Sequence, residues 1–442
     1  MRKRVFFFFL FIIVLLYGLM VILPTKKSTP AVEKKTLNNG LKVLVKRNPS
    51  NEIVAIEFFF KGGSAVETRQ DSGLTYLTAS LLFKGTENKD FTRIAEGFDS
   101  IGGLWGLSVE RDFSEVHLVI PKRNWEEGLK LLAEVLITPV FVEEEIDKEK
   151  ELILQQIKSI EDNPFEFTYR EFNEDIYGSH PYAKPTFGFA DTVTRFSRSD
   201  IIRQYKRSFC ARNAIVVVTG NVGPKEAIKS VEENFRRLPA GRRLNIDKQP
   251  VHSRGKKQVI KKPDLKQTMM FLGFKAPSVN DKDYPALKLL SALMGEGMSS
   301  RLFENIRDKK GIGYALGSFY PTRLDTSPFV FFLGVQPERL GEAEAAFWEE
   351  IGKVKFDDIS EEEFKKAKNY LIGNFYLTQQ RNKDQAYYLG WYETLGLGTD
   401  FDSVYLENIR NLGISRVKAA ARKYLKEEKA TLVILSPGKV TP

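Results

Sequence analysis

Residues 73–86, GLTYLTASLLFKGT, decide how the rest of the chain is read. They follow a run of branched and aromatic residues at 53–60, IVAIEFFF, which reads as a strand ended by Gly62-Gly63. The quoted stretch itself reads as a helix over about 72–83. Upstream, 41–45 (LKVLV) reads as a further strand, and downstream a helix is predicted over 91–100, closed by Gly102-Gly103. Residues 143–161 are charged and periodic, with Ile146, Leu152, Ile153, Ile157 and Ile160 as apolar positions. This pattern predicts a long helix that stops at Asn163-Pro164. Alternating strands and helices place the chain in the α/β (α+β) class.

The order then recurs. A strand at 267–274 (QTMMFLGF) leads through a loop into a helix over about 284–293, as 53–60 led into the helix at 72. Between the two runs lies 237–257, RRLPAGRRLNIDKQPVHSRGK, polar, basic and broken by Pro and Gly, which reads as a linker. Two homologous halves of roughly 200 residues each are expected; element order alone leaves two unrelated α/β domains open. The divisions are 1–30 as an N-terminal membrane segment, 31–240 and 258–442 as the two halves, and 241–257 as the linker.

At 442 residues, with 42% hydrophobic and 28% charged residues, the chain can bury a large core. Its 67 Lys and Arg against 57 Asp and Glu give a charge of +10, but the basic residues alternate with acidic ones along the sequence. That reads as a solvated surface, and no nucleic-acid motif accompanies it. A single cysteine, Cys210, excludes an intrachain disulfide and a multi-cysteine metal site. Residues 5–23, VFFFFLFIIVLLYGLMVIL, carry no charge and follow Arg2-Lys3-Arg4. As a helix they would span roughly 28 Å, enough to cross a bilayer. They read as an uncleaved anchor or a long signal peptide; no small-x-small cleavage site follows, which favours the anchor. Basic residues in front place the N-terminus in the cytoplasm and the remainder in the periplasm or outside the cell.

Several segments together carry a family resemblance: the 73–86 stretch with its closing Phe-Lys-Gly-Thr, Ile101-Gly102-Gly103, 161–164 (EDNP), His180-Pro181-Tyr182 with Gly188, 213–220 (NAIVVVTG), and 300–303 (SRLF) leading to 311–314 (GIGY). In this order and spacing the chain resembles the insulinase/pitrilysin and mitochondrial-processing-peptidase-like zinc metallopeptidases. The resemblance implies two halves, each a twisted, mostly antiparallel sheet packed with helices, forming half of a clam-shell chamber.

Active members carry an inverted zinc motif, H-x-x-E-H, on the helix matched by 73–86. Two histidines at i and i+4 point at one ion from one helix face, and the glutamate activates the bound water. Here the histidine positions hold Tyr76 and Ser80, and the glutamate position holds Ala79. The third ligand, a downstream glutamate, aligns with Gln156, with Glu149 retained two turns earlier. All zinc positions are substituted. The strand after Gly102-Gly103 has drifted too, reading Gly106-Leu107 and then Ser114-Glu115-Val116-His117. The remaining histidines, His117, His180 and His252, are far apart in sequence and read as structural or surface residues, so no metal is expected on this chain.

Arg307 and Tyr314, seven residues apart, match an Arg and a Tyr that in the family reach across the cleft from the half opposite the zinc. A guanidinium and a phenol can donate hydrogen bonds to substrate carbonyls and to a developing oxyanion. Read without the resemblance, Arg307 caps a helix and Tyr314 is a half-buried strand residue. The resemblance implies the non-catalytic subunit of a heterodimer, with a homologous partner holding the zinc and an unfolded peptide as substrate. The alternative is a scaffold or binding protein with no part in proteolysis. A self-sufficient hydrolase is the weakest reading, since no G-x-S-x-G elbow exists and Cys210 has no evident histidine partner.

Overall fold

The computed structural model describes residues 32–246, 249–251, 255–357 and 359–438. The 5–23 segment and His252 lie outside them. Among the described residues no helix is long and apolar enough to cross a membrane.

Two sheets organise the chain. The first contains β1 (Val32–Thr36), β2 (Lys42–Arg47), β3 (Ile53–Lys61), β4 (Leu104–Val109), β5 (Phe113–Pro121) and β6 (Ala214–Gly220) in the order β1-β2-β6-β3-β5-β4. The second contains β7 (Lys256–Lys261), β8 (Thr268–Ala276), β9 (Ala315–Phe319), β10 (Ser327–Val335) and β11 (Thr431–Ser436) in the order β7-β11-β8-β10-β9. With the extra edge strand β1 removed, the two orders are the same. Each has one parallel pair, β2 with β6 and β7 with β11, and is otherwise antiparallel. The repeat seen in element order is therefore a repeat of sheet topology.

The predicted helix over 72–83 is an α-helix at Leu74–Ser80 that tightens into a 3-10 turn at Leu81–Phe83. Helices also form at Phe91–Ser100, Glu143–Asp162 and Tyr284–Gly295. Asn163-Pro164 does end the long helix, but it also starts another that the stop signal conceals. The Asn163 side chain accepts hydrogen bonds from the Phe165 and Glu166 amides and Pro164 takes the first helical position, giving the helix Pro164–Tyr177.

That helix accounts for how the halves are joined. Phe172 and Ile176 pack against Phe271, Val330 and Val433 of the second sheet, whereas Ala386 and Leu389 of the helix Asn382–Thr394 pack against Ala55, Phe59 and Val217 of the first. Each half lends a helix to the other. Both contacts are keyed through a glycine: a Cβ on Gly273 would lie 2.3 Å from the Phe172 ring, and one on Gly390 would lie 2.3 Å from the Phe59 ring. Spatial halves therefore do not coincide with contiguous stretches of chain. Among the described residues of 237–257 none before Lys256 lies in a helix or strand, and Leu238 and Val251 are buried.

Central strand β3 is buried on both faces from Val54 to Phe60. Val54, Ile56, Phe58 and Phe60 enter the core shared with the 74–80 helix, while Ala55 and Phe59 face the crossing helix 382–394. A strand covered on both sides reads as a continuous apolar run. The one charged residue inside the run is Glu57.

Candidate functional site

The helix carrying positions 76, 79 and 80 is held at its N-terminus. Glu67 is buried and accepts hydrogen bonds from the amides of Gly73 (3.0 Å) and Thr75 (2.7 Å), satisfying donors that a helix start leaves open. Lys184 donates to the Glu67 carbonyl at 2.7 Å and Thr192 Oγ1 to the Ser72 carbonyl at 2.7 Å. Gly188, noted in the sequence, lies against this turn; a Cβ there would be 2.3 Å from the Ser72 carbonyl oxygen. Sequence reasoning missed Glu67. Its only signal was an acidic residue between the Gly62-Gly63 strand end and the helix.

Burial pushes the Glu67 carboxyl from 4.5 up to about 7. The folded chain keeps this proton in a range where the unfolded chain has lost it. The stabilising contribution is complete below 4.5 and is lost as pH rises through 7. Between about pH 5 and pH 8 the chain is expected to lose about 2–3 kcal/mol more stability than Glu67→Gln, in urea unfolding at each pH. Parallel pH profiles for the two proteins would refute this assignment.

Around the helix the substituted positions come together without forming a donor set. The Tyr76 ring is half-buried with its centroid 4.5 Å from that of Phe187. Burial, then the nearby Glu149 charge, push its phenol upward. Ala79 is buried, and Ser80 Oγ donates to the Leu77 carbonyl at 3.0 Å. Glu149, also buried, is paired with the Lys84 ammonium at 3.1 Å, so a side chain of the Phe-Lys-Gly-Thr turn already supplies a cation there. Gln156 is exposed on the same long helix. A protonated phenol, a methyl group, a hydroxyl spent on its own helix and a lysine-neutralised carboxylate do not fit zinc, which needs several converging lone pairs on N, S or O. No zinc-dependent step is assigned to these residues.

In the second half, Phe303–Asp308 forms a π-helical turn followed by a glycine-rich loop into β9. Arg307 is exposed, with its guanidinium 4.5 Å from the Phe303 ring centroid. Tyr314 is 63% exposed, and its amide is fixed by the Gly334 carbonyl at 3.1 Å. Arg339 clamps the loop between them, donating to the carbonyls of Gly311 (2.6 Å) and Lys310 (3.2 Å) and pairing with Glu342. The backbone is tied down, the Tyr314 side chain is exposed and the Arg307 guanidinium rests over the Phe303 ring. Arg307 does lie in the last turn of its helix, while Tyr314 is exposed and not the half-buried strand residue of the simpler reading.

His180 is buried between Asp325 (3.2 Å from Nε2) and the Tyr182 amide (3.1 Å from Nδ1), a structural role at the seam of the halves. Cys210 is buried, and burial pushes its thiol upward, away from a nucleophilic thiolate. His117 is drawn against Glu115, Glu57 and Lys383, a grouping that sequence separation hid.

Residues 42–189 match the family model described as insulinase (peptidase family M16), and residues 195–371 match that of the peptidase M16 inactive domain. An uncharacterized zinc protease of Rickettsia felis is 32% identical over 346 residues, covering 78% of this chain and 83% of that protein. The crystal structure of a peptidase M16 inactive domain from Pseudomonas fluorescens has the same fold, with a TM-score of 0.87 at 24% identity over 93% of this chain and 99% of that one. A protease from Helicobacter pylori gives 0.86 at 25% identity over 92% and 99%. Fold and matches together define a two-half α/β protein of peptidase type. The chain belongs to the insulinase family, peptidase family M16.

Proposed function

We propose that this chain is the non-catalytic, substrate-binding subunit of a heterodimeric zinc metallopeptidase acting on unfolded peptides. The observation that carries the reading is a contrast within one molecule. The positions matched to zinc ligands are filled by Tyr76, Ser80 and Gln156 and that of the base by Ala79, whereas Arg307 and Tyr314 stand exposed at the two ends of a clamped loop. A homologue with an intact H-x-x-E-H helix would supply the metal and its activated water. From this chain, the Arg307 guanidinium and Tyr314 hydroxyl would donate hydrogen bonds to the substrate main chain and to the negative charge that develops on the scissile carbonyl oxygen.

Tyr314 immediately precedes β9, and β9 and β4 are the outer strands of their sheets at one end. An extended peptide pairing along such an edge gains affinity from main-chain hydrogen bonds with little sequence preference. In this reading residues 5–23 tether the pair to the membrane with its folded part outside the cytoplasm. Association is the first test. Mixed at micromolar concentration with the zinc-motif homologue from the same organism, the chain is expected to co-elute as a 1:1 complex in size-exclusion chromatography with light scattering. Two independent peaks would count against the subunit reading.

A further inference from the structure

On the face of the first sheet opposite the 74–80 helix, Glu57, Glu115 and His117 converge, each offering a ligand atom within 4.8 Å of the others. Glu57 on β3 pairs directly across from His117 on β5, and Glu115 is two residues earlier on the same strand face. Room for the imidazole comes from β4: Gly106 is paired with His117, and a Cβ at Gly106 would lie 2.7 Å from the ring. Glu57 is fully buried, and neither of its carboxyl oxygens receives a hydrogen bond from any nitrogen donor or hydroxyl of the described residues.

The hydrogen bonds already assign the imidazole its roles. Lys383 Nζ lies 2.9 Å from Nε2, and an ammonium can only donate, so Nε2 accepts. Nδ1 therefore carries the proton and donates to Glu115 Oε1 at 2.7 Å, while Ser108 donates to Glu115 Oε2 at 3.0 Å. A carboxylate that fixes one ring nitrogen and leaves the other as a lone pair is the arrangement that orients metal-bound histidines.

We propose that His117 Nε2 and the Glu57 carboxylate, supported by Glu115, form a site for one divalent transition ion at the seam of the two halves, with the Lys383 ammonium as its built-in competitor. On binding, the ion displaces the Lys383 ammonium from Nε2. Lys383 is only half-buried and has solvent to move into. Its departure leaves the crossing helix seated, because Asn382 separately donates to the Ile53 carbonyl at 2.7 Å and to Asn51 Oδ1 at 3.0 Å and accepts from Asn48 at 2.6 Å. One imidazole with carboxylates suits Zn²⁺ or Co²⁺. The site does not depend on the subunit reading and lies across the sheet from positions 76 to 80.

The test is titration of Co²⁺, read by its visible d–d bands, and of Zn²⁺, read by calorimetry, into the metal-free full chain. One ion per chain is expected. His117→Asn should weaken it by about tenfold or more, and Lys383→Met, which removes the competitor, should tighten it by about tenfold. Circular dichroism of each variant separates lost binding from lost folding, and the half-exposed Lys383 gives a variant that leaves the core untouched. Absence of saturable 1:1 binding in the wild-type chain overturns the proposal, as does binding unchanged by His117→Asn or seen only in Lys383→Met.

Discussion

Arg307→Ala is expected to lower the peptide-hydrolysis rate of the reconstituted pair by about 10²- to 10³-fold in kcat, the size of effect seen when one preorganised oxyanion donor is removed. The loss should fall on kcat more than on KM, because a donor aimed at developing charge acts in the transition state and not on bound substrate. Tyr314→Phe keeps the ring and removes one hydroxyl, so about tenfold is expected. Arg307 has no hydrogen bond to lose within the described residues, only its packing on Phe303, so the variant should unfold at the wild-type denaturant midpoint. A fall in activity accompanied by a fall in stability would assign the residue a structural role instead. Lys at position 307 should rescue poorly, since a single ammonium cannot reproduce a planar fork.

Phe172→Ala is expected to cost about 3–5 kcal/mol in urea unfolding, the range for truncating a fully buried aromatic. Phe172 is completely buried and belongs to the first half, yet it seats on Gly273 and packs with Phe271 of the second sheet. Its removal opens a cavity in the joint between halves. The unfolding transition should therefore shift as a whole. Loss confined to one half, seen as a second transition, would mean that the exchanged helices do not couple the two sheets. Gly273→Val approaches the same joint from the other side, forcing the ring off its seat, and should be destabilising by about 1–3 kcal/mol.

Much of this architecture is legible in the sequence, for a physical reason. Strands 53–61 and 268–276 are buried on both faces over most of their length, so they stand out as largely apolar runs, broken inside the first only by Glu57, and the helices that follow keep a regular apolar spacing. Long-range pairing escapes such a reading. The helix Pro164–Tyr177 is hidden because Asn163-Pro164 reads as a stop, although the same two residues are a start signal. That it crosses to the other sheet has no local signature at all. At the site, Tyr76, Ala79 and Ser80 can be located because helical spacing makes neighbours of residues three or four apart. The Lys84–Glu149 pair and the grouping of Glu57, Glu115 and His117 depend on contacts 65 residues apart or on strand register, which a single sequence does not carry.

Glu57 shows the same dependence on distant contacts. A charged residue in the middle of a seven-residue buried run is costly unless something compensates it. Along the sequence it is simply an exception within a strand. In the fold it lies opposite His117 and beside Glu115, neighbours set by strand register.

The most direct test of the subunit reading is peptide hydrolysis by residues 31–442, assayed alone and then mixed with the zinc-motif homologue from the same organism. No hydrolysis is expected from the chain alone, and the mixture should be well above the homologue by itself. Hydrolysis by the isolated chain, or a homologue whose activity is unchanged by adding it, would contradict that reading.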